Sequence, residues 1–402
     1  MADSIREAIR DGAADLRDFV VATRRDIHAH PELGNQEART PRLIVEAMAG
    51  LDLEVKQGVG GTGVVAVLRG AHAGPTLALR ADMDALPLQE DDPRPYRSCV
   101  PGVMHACGHD GHVAMLLGAA RLLHRLRDQL HGNVKFFFQP AEETYGGASE
   151  MIADGCLSDD PKVDAVFGLH VEPDGEVGEL RLRPGPTMAS SDAVRIAVQG
   201  VGGHASEPHA CIDPVPAAAQ IITNLQAMVT RRFDARSPVV VTITYLQAGS
   251  AFNVIPPEVI VAGTVRTVDP SVRAKMPLQI TEVAEHTAAA FGATAEVAYV
   301  HGSGVVLNDP GFTQFVAETV RRNRGDSSVR TLASPIMGAE DFGLYLEQLP
   351  GAFAFLGARP SHQQAYPCHH PRFDFDEAAL PVGVEILTTV ALEYLSDGNR
   401  RV

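Results

Sequence analysis

MHACGHDGHVAMLLGAARLLHRLRDQL, residues 104–130, joins two kinds of sequence. Its first nine residues hold four side chains that can bind a metal: His105, Cys107, His109 and His112. Cys107 and His109 are spaced as in neither a zinc finger nor a disulfide framework. From residue 111 onward the apolar residues recur at helical spacing and predict a largely buried helix. Outward from this stretch lie apolar, β-branched runs that read as strands: LDLEVKQ (51–57), GVVAVL (63–68) and PTLALRA (75–81) before it, NVKFFFQ (133–139) and VDAVFGLH (163–170) after it. Strands buried on both faces and alternating with helices imply an α/β core.

Pro184-Gly185-Pro186 marks a change of character. A strand at 192–199, a helix at 213–231, strands at 239–249 and 258–268, a helix at 270–290 and a strand at 294–300 give the order β-α-β-β-α-β of a ferredoxin-like unit. HGSG (301–304) then returns the chain to a helix near 310–323, a strand at 352–357 and a long C-terminal helix. We therefore expect two domains, one of residues 1–186 and 303–402, and a smaller inserted one of residues 187–302. GVGGTG (58–63) matches the glycine spacing of a dinucleotide fingerprint. A strand rather than a helix follows it, so a turn between two strands is the expected reading.

Composition narrows the function. The 34 basic and 50 acidic residues leave a net charge of −16, which disfavours nucleic acid or an anionic membrane as the main partner. No apolar run is long enough for a membrane span, and the charged N-terminus, read as an amphipathic helix, lacks the apolar segment of a secretory signal. Five scattered cysteines argue against a disulfide scaffold and fit a reducing compartment, so a cytoplasmic protein is expected.

Ligand-type residues gather where strands end. PTLALRA leads to Asp82 and Asp84, KFFFQP to Glu142 and Glu143, DAVFGL to His170, and the last strand, after a loop, to Cys368, His369 and His370. Sites in open α/β sheets lie at the carboxyl ends of strands. A thiolate, imidazoles and carboxylates suit zinc, manganese, cobalt or nickel better than calcium or magnesium. So many groups suggest two divalent ions, which need a bridging anion, and a deprotonated Cys107 can serve. Of two adjacent glutamates, one can bind metal while the other acts as general base.

RADMDALP (80–87), MHACGHDGHVAMLLGAA (104–120), FQPAEE (138–143), GLHVEP (168–173), GGHASEPHACIDPV (202–215), NVIPPEVIVAGTVRT (253–267), MGAEDFGLYLEQLPGAF (337–353) and HHPRFDFDE (369–377) together resemble the metal-dependent amidohydrolases of the aminoacylase/carboxypeptidase (peptidase M20) superfamily. The likeness is to the branch that hydrolyses N-acyl amino acids, hippurate and auxin conjugates. The resemblance implies a zinc-peptidase-like catalytic domain, a mixed sheet flanked by helices, with an inserted ferredoxin-like lid that mediates dimerisation. It implies that Cys107 bridges two metals, that His109 and His170 complete one site and Glu143 and His369 the other, and that Glu142 is the general base. Asp82 would stand behind the ligands and Asp84 would orient a ligand imidazole. His369, rather than the adjacent His370, is the expected ligand from its spacing to Pro371 and Phe373.

The implied reaction is hydrolysis of an N-acyl amino acid to a carboxylic acid and a free amino acid. By the same resemblance His204, in the lid of a partner subunit, stabilises the oxyanion, with His209 as the weaker alternative. Asn253 and Arg266 are the expected holders of the substrate carboxylate, since a guanidinium matches its geometry, and the backbone around Gly338 is a further substrate contact. The expected assembly is a homodimer or homotetramer. The rival readings are a small-peptide metallopeptidase, a deacetylase of an acetylated diamino acid, and an idle metal-binding protein on the same fold.

Overall fold

The computed structural model describes residues 2–144, 146–361 and 364–396. They divide into two compact units: one takes in the chain through Gly185, Leu307–Ala333 and the part from Asp341 onward, the other Pro186–Val306 and Ser334–Glu340.

The first unit is built on eight strands: β1 (Glu54–Val59), β2 (Gly63–Arg69), β3 (His72–Asp82), β4 (His131–Gln139), β5 (Ala165–Glu172), β6 (Leu180–Leu182), β7 (Val329–Thr331) and β8 (Gly351–Gly357). Their order across the sheet is β1-β2-β4-β3-β5-β8-β6-β7. The central four, β4, β3, β5 and β8, run parallel. Their apolar side chains are buried on both faces, Leu77 and Leu79 in β3 and Phe136, Phe137 and Phe138 in β4 among them. That explains why these segments read as unbroken apolar runs rather than alternating ones. β1 and β2 form an antiparallel hairpin, and GVGGTG is its turn. Gly60 there has φ +64, and a Cβ on it would meet Met151 at 2.7 Å.

The quoted stretch forms the helix His109–Arg125, shorter than expected. A 3-10 turn, Arg127–Gln129, ends it so that His131 can open β4. The helix packs against Arg17–Ala29 and Ala379–Tyr394, and its leucines at 116, 117, 122 and 123 are buried. Burying a leucine contributes about 1.5–3 kcal/mol, which outweighs the weak intrinsic preference of a single helix. The expected N-terminal helix is two, Asp3–Asp15 and Arg17–Ala29. β6 and β7 escape the sequence reading because three residues show no periodicity.

The second unit carries a four-stranded antiparallel sheet in the order Val239–Ala248, Glu258–Thr267, Asp192–Gln199, Thr294–His301. Helices Pro214–Arg232 and Met276–Ala290 bury Ile221, Leu225, Ile280 and Ala284 in its core. Asp213 caps the first, accepting from Val215 N at 3.0 Å. The helix expected over 270–290 is divided into Pro270–Arg273 and Met276–Ala290, because Pro277 has no amide with which to continue the earlier turn. This unit extends beyond 187–302. Ala189 N donates to the carbonyls of Ile336 and Gly338, and Ile336 N donates to that of Thr187, which draws in Ser334–Glu340.

One buried charge ties the first unit together beneath the ligand-rich loop. Arg24 is fully buried and donates from Nε to Asp110 at 2.8 Å, from Nη2 to Asp374 at 2.8 Å and from Nη1 to Glu377 at 3.1 Å. His28 Nδ1 meets the same Asp110 oxygen at 2.8 Å. Burial would raise the Asp110 pKa, but Arg24 and His28 outweigh it and hold the carboxyl below the usual range. A group depressed in the folded state contributes stability above its unfolded pKa of about 4 that is lost as pH falls. Arg24→Met is expected to cost about 3–5 kcal/mol at pH 7 in urea denaturation, since it strands a buried carboxylate. The deficit should shrink as pH drops below about 4.

Candidate metal centre

Three parallel strands deliver side chains to one edge. Asp82 closes β3 opposite Gln139 at the end of β4, and His170 lies on β5 beside Phe355 of β8. After Gln139 the chain turns at Ala141, φ +53, and presents Glu142 and Glu143. The turn is held by carboxylates: Ala141 N donates to Glu37 at 3.1 Å and Glu143 N to Asp84 at 3.0 Å. Gly108 starts the His109–Arg125 helix at φ +89, and a Cβ on it would lie 2.3 Å from Val171 Cγ2. Glycine at this position lets the Cys107–His109 segment lie against β5.

Cys107, His109 and His170 bring one ligand atom each to within 4.8 Å of one another, as do Cys107, Glu143 and His369. The two groups share the Cys107 sulfur. His109, Glu142 and Glu143 form a third such group. Cys107 Sγ lies 3.5 Å from His170 Nε2, and His369 Nε2 lies 3.3 Å from Glu143 Oε1. His370 is engaged elsewhere: its Nδ1 accepts from Arg372 N at 3.0 Å and its ring stacks on Tyr366.

Two imidazoles are oriented through their outer nitrogens. His109 Nδ1 lies 3.0 Å from the Asp84 carbonyl and 3.2 Å from its carboxylate, so it donates there. His170 Nδ1 donates to the Val171 carbonyl at 2.7 Å. Each then turns its Nε2 toward the cluster. His112 has the opposite allegiance. Its Nδ1 meets Asp82 at 2.6 Å and its Nε2 accepts from Val171 N at 2.9 Å, so both nitrogens are used. His105 is buried with neither ring nitrogen hydrogen-bonded among the described residues, and burial brings its pKa down to about 4.

The electrostatics are those of a site rich in negative charge. Burial alone would lower the His109 pKa, but Asp82, Asp84 and Glu143 outweigh it and hold it well above the ordinary value. Burial and His112 push His170 well below, so it is neutral. The Cys368 thiol, burial and the two glutamates push Cys107 up. His109 Nε2 and Glu143 Oε1 are buried with no hydrogen-bond partner among the described residues. A thiol that needs a positive neighbour to ionise, two aimed imidazoles and surplus carboxylates fit divalent cations of the borderline-soft class.

A buried network missing from the sequence reading supports this edge. Arg80 donates to Asp82 at 2.6 Å, Gln139 at 2.9 Å and Asp341 at 3.0 Å. Gln139 in turn donates to Asp341 at 2.8 Å and accepts from Tyr345 OH at 3.1 Å. Burial raises the Asp82 pKa, but Arg80, His109 and His112 outweigh it and hold the carboxyl well below the ordinary value. The signal was available: Arg80 is a charge inside an apolar strand, which demands a buried partner.

The other expected substrate residues, His204, Asn253, Arg266 and Gly338, belong to the second unit. Val254 pairs with His204 in a two-stranded ribbon, and Ala205 N donates to the Asn253 carbonyl at 3.1 Å. The exposed His204 accepts at Nδ1 from Ser206 N at 3.2 Å and contacts Ser206 Oγ at 2.7 Å. Its Nε2 therefore carries the proton. Arg266 is half-buried on Glu258–Thr267.

Residues 78–393 match the model of "Peptidase family M20/M25/M40". The chain is 41% identical to an N-acetylcysteine deacetylase of Bacillus subtilis, over 94% of this chain and 97% of that protein. It is 38% identical to the IAA-amino acid hydrolase ILR1-like 4 of Arabidopsis thaliana, over 95% of this chain and 87% of that one. Among solved structures it is similar to the Bacillus subtilis YXEP protein, described as a dinuclear metal binding peptidase from the M20 family. That likeness has a TM-score of 0.83 at 38% identity and covers 95% of this chain and 99% of that one.

Gly108→Ala tests how the loop is placed. The positive φ and the 2.3 Å approach to Val171 are expected to cost about 1–3 kcal/mol in urea denaturation. Zinc uptake measured by elemental analysis should fall along with stability.

Proposed function

On the premise that the chain belongs to peptidase family M20/M25/M40 and is a metal-dependent amidohydrolase or peptidase of it, we propose that it hydrolyses N-acyl amino acids to a carboxylic acid and a free amino acid. Cys107, His109 and His170 hold one divalent ion, and Cys107, Glu143 and His369 the second. The observation that carries this reading is the pair of ligand groups that share the Cys107 sulfur. The donor set suits zinc, manganese, cobalt or nickel.

When bound, such ions supply Lewis acidity that lowers the pKa of water and polarises the scissile carbonyl. The remaining work falls to side chains. Glu142 is buried, and its carboxylate lies within 4.8 Å of ligand atoms of His109 and Glu143. It takes the proton of the attacking water and returns it to the leaving nitrogen. Asp84 keeps the His109 Nε2 aimed, and Asp82, held by Arg80, fixes His112 behind it. His204, supplied by the lid of a partner subunit, is the oxyanion donor, a role that suits a ring protonated at Nε2. Asn253 and Arg266 take the substrate carboxylate, and the backbone at Gly338 is a further contact.

The relatives act on N-acetylcysteine and on IAA-amino acid conjugates, as their names state, and both substrates are N-acyl amino acids. The YXEP likeness keeps cleavage of small peptides as the second reading. We assign the second unit to lid and dimer contacts, in a homodimer or homotetramer. Its sheet ends on Val239–Ala248, which exposes Val240, Tyr245 and Leu246 as an apolar edge suited to pairing. Free cysteines fit the cytoplasm.

Glu142→Gln is expected to lower kcat at least about 100-fold, the usual scale of general acid–base catalysis, with metal content by elemental analysis unchanged. Near-normal turnover would remove Glu142 from its role. Cys107→Ser should reduce occupancy at both ion sites, and loss of one ion alone would count against bridging. Turnover of N-acetyl-, N-benzoyl- and indole-acyl-amino acids against unblocked dipeptides, with each metal in turn, decides between the two readings. Hydrolysis of dipeptides alone would favour the second.

A further inference from the structure

The two faces of the sheet differ at β2 and β4. Val64, Ala66 and Leu68 of β2 belong to the main core, as do Val134, Phe136 and Phe138 of β4. The alternate residues point the other way. There Glu54 of β1 pairs with Val67 of β2, and Val67 with Lys135 of β4, so the three stand in a row across one face. A cavity of about 200 Å³ lies between this row and the segment 156–160. Its floor is apolar, with Val59, Val65 and Val67 buried. Lys135 lines the same space and is 3% or less exposed, at 1%. Its Nζ donates to the carbonyls of Cys156 at 3.0 Å and Asp159 at 2.8 Å. An ammonium has three N–H donors, so one is left over. No ion pair joins Lys135 to a carboxylate among the described residues. Burial lowers its pKa, as it does for a cation without a counter-ion.

A buried cation without a counter-ion is costly, and an anion placed beside it offsets that cost. The carboxylates at the rim are engaged elsewhere. Asp159 pairs with Lys56 at 2.8 Å, and Arg69 holds Glu54 at 2.9 Å and Asp160 at 2.7 Å. All three are more than half exposed, so water and salt screen them, whereas the ammonium of Lys135 is enclosed. We propose that this cavity binds a small monocarboxylate with an apolar body, of the size of benzoate. The carboxylate accepts the remaining N–H of Lys135, and the body covers the valines. The space is sufficient, since an apolar cavity of about 150 Å³ holds a benzene molecule. The acidic rim repels a second negative charge and restricts the ligand to one. None of the residues lining the cavity belongs to a group of candidate metal ligands. Lys135 also precedes Gln139, the end of β4, by four residues, or roughly 13 Å along the strand. The site is therefore separate from the metal centre and does not rest on the function proposed above.

Isothermal titration calorimetry of the full-length protein with benzoate, benzamide and phthalate tests the site. Two variants accompany the parent. Lys135→Met removes the ammonium, and Val67→Phe keeps the ammonium and fills the space. The parent is expected to bind one equivalent of benzoate that each variant weakens at least about 10-fold, the worth of one charged hydrogen bond. Benzamide, which has the same body without the charge, should bind the parent at least about 10-fold more weakly than benzoate does. Phthalate, with a second carboxylate, should also bind more weakly. Benzoate binding that persists unchanged in both variants, as it would at the metal centre, overturns the proposed site. Benzamide bound as tightly as benzoate overturns the role of Lys135, and phthalate bound as tightly overturns the limit to one charge. Loss in Lys135→Met with full binding in Val67→Phe overturns the cavity as the place of binding. Each of these failures leaves the reading of the metal centre as it stands.

Discussion

The first unit depends on a concentration of negative charge at the carboxyl ends of its parallel strands. Asp82, Asp84, Glu142 and Glu143 come together around His109 in a largely buried space. Unbalanced, such a cluster would be too costly to bury. Part of the balance is built in: Arg80 neutralises Asp82 and Asp341 beneath the edge, and Arg24 neutralises Asp110 beneath the loop. The excess left over is located where the Nε2 atoms of two imidazoles and a thiol converge. Divalent cations, held there by those residues, would resolve that excess and favour the ionised form of the thiol.

The orientation of the imidazoles follows from the same economy of partners. An imidazole whose Nδ1 donates to a carbonyl or carboxylate has little freedom at Nε2. The carbonyl of Val171 serves His170, while its amide donates to His112. One residue of β5 therefore sets two histidines in different directions, one toward the cluster and one away from it. Gly108, pressed against the Val171 side chain, adds the third constraint at the same place. With these constraints, two residues of one loop, Cys107 and His109, fall within a single group of candidate ligand atoms.

Much of this was legible in the chain. The apolar runs marked the parallel strands, the family motifs identified the fold and its class of chemistry, and Cys107, His109, Glu142, Glu143, His170 and His369, which the fold gathers into groups of candidate ligands, all stand in those motifs. Other features were not legible. β6 and β7 are too short to carry a period, Pro277 splits a helix whose pattern reads as continuous, and Ser334–Glu340 joins the second unit through backbone hydrogen bonds that any residues could make.

Sequence alone determined which chemical groups are available and where strands end, because side-chain type and apolar periodicity are local properties. Tertiary structure alone decided how those groups are shared. It set one sulfur in two ligand groups, turned His112 away from the cluster and His109 toward it, and engaged His370 with Arg372 and Tyr366. These are questions of direction and contact between segments up to 262 residues apart, as Cys107 and His369 are. A hydrogen bond's geometry is fixed only when both partners are in place, so the chain's order of residues does not encode it.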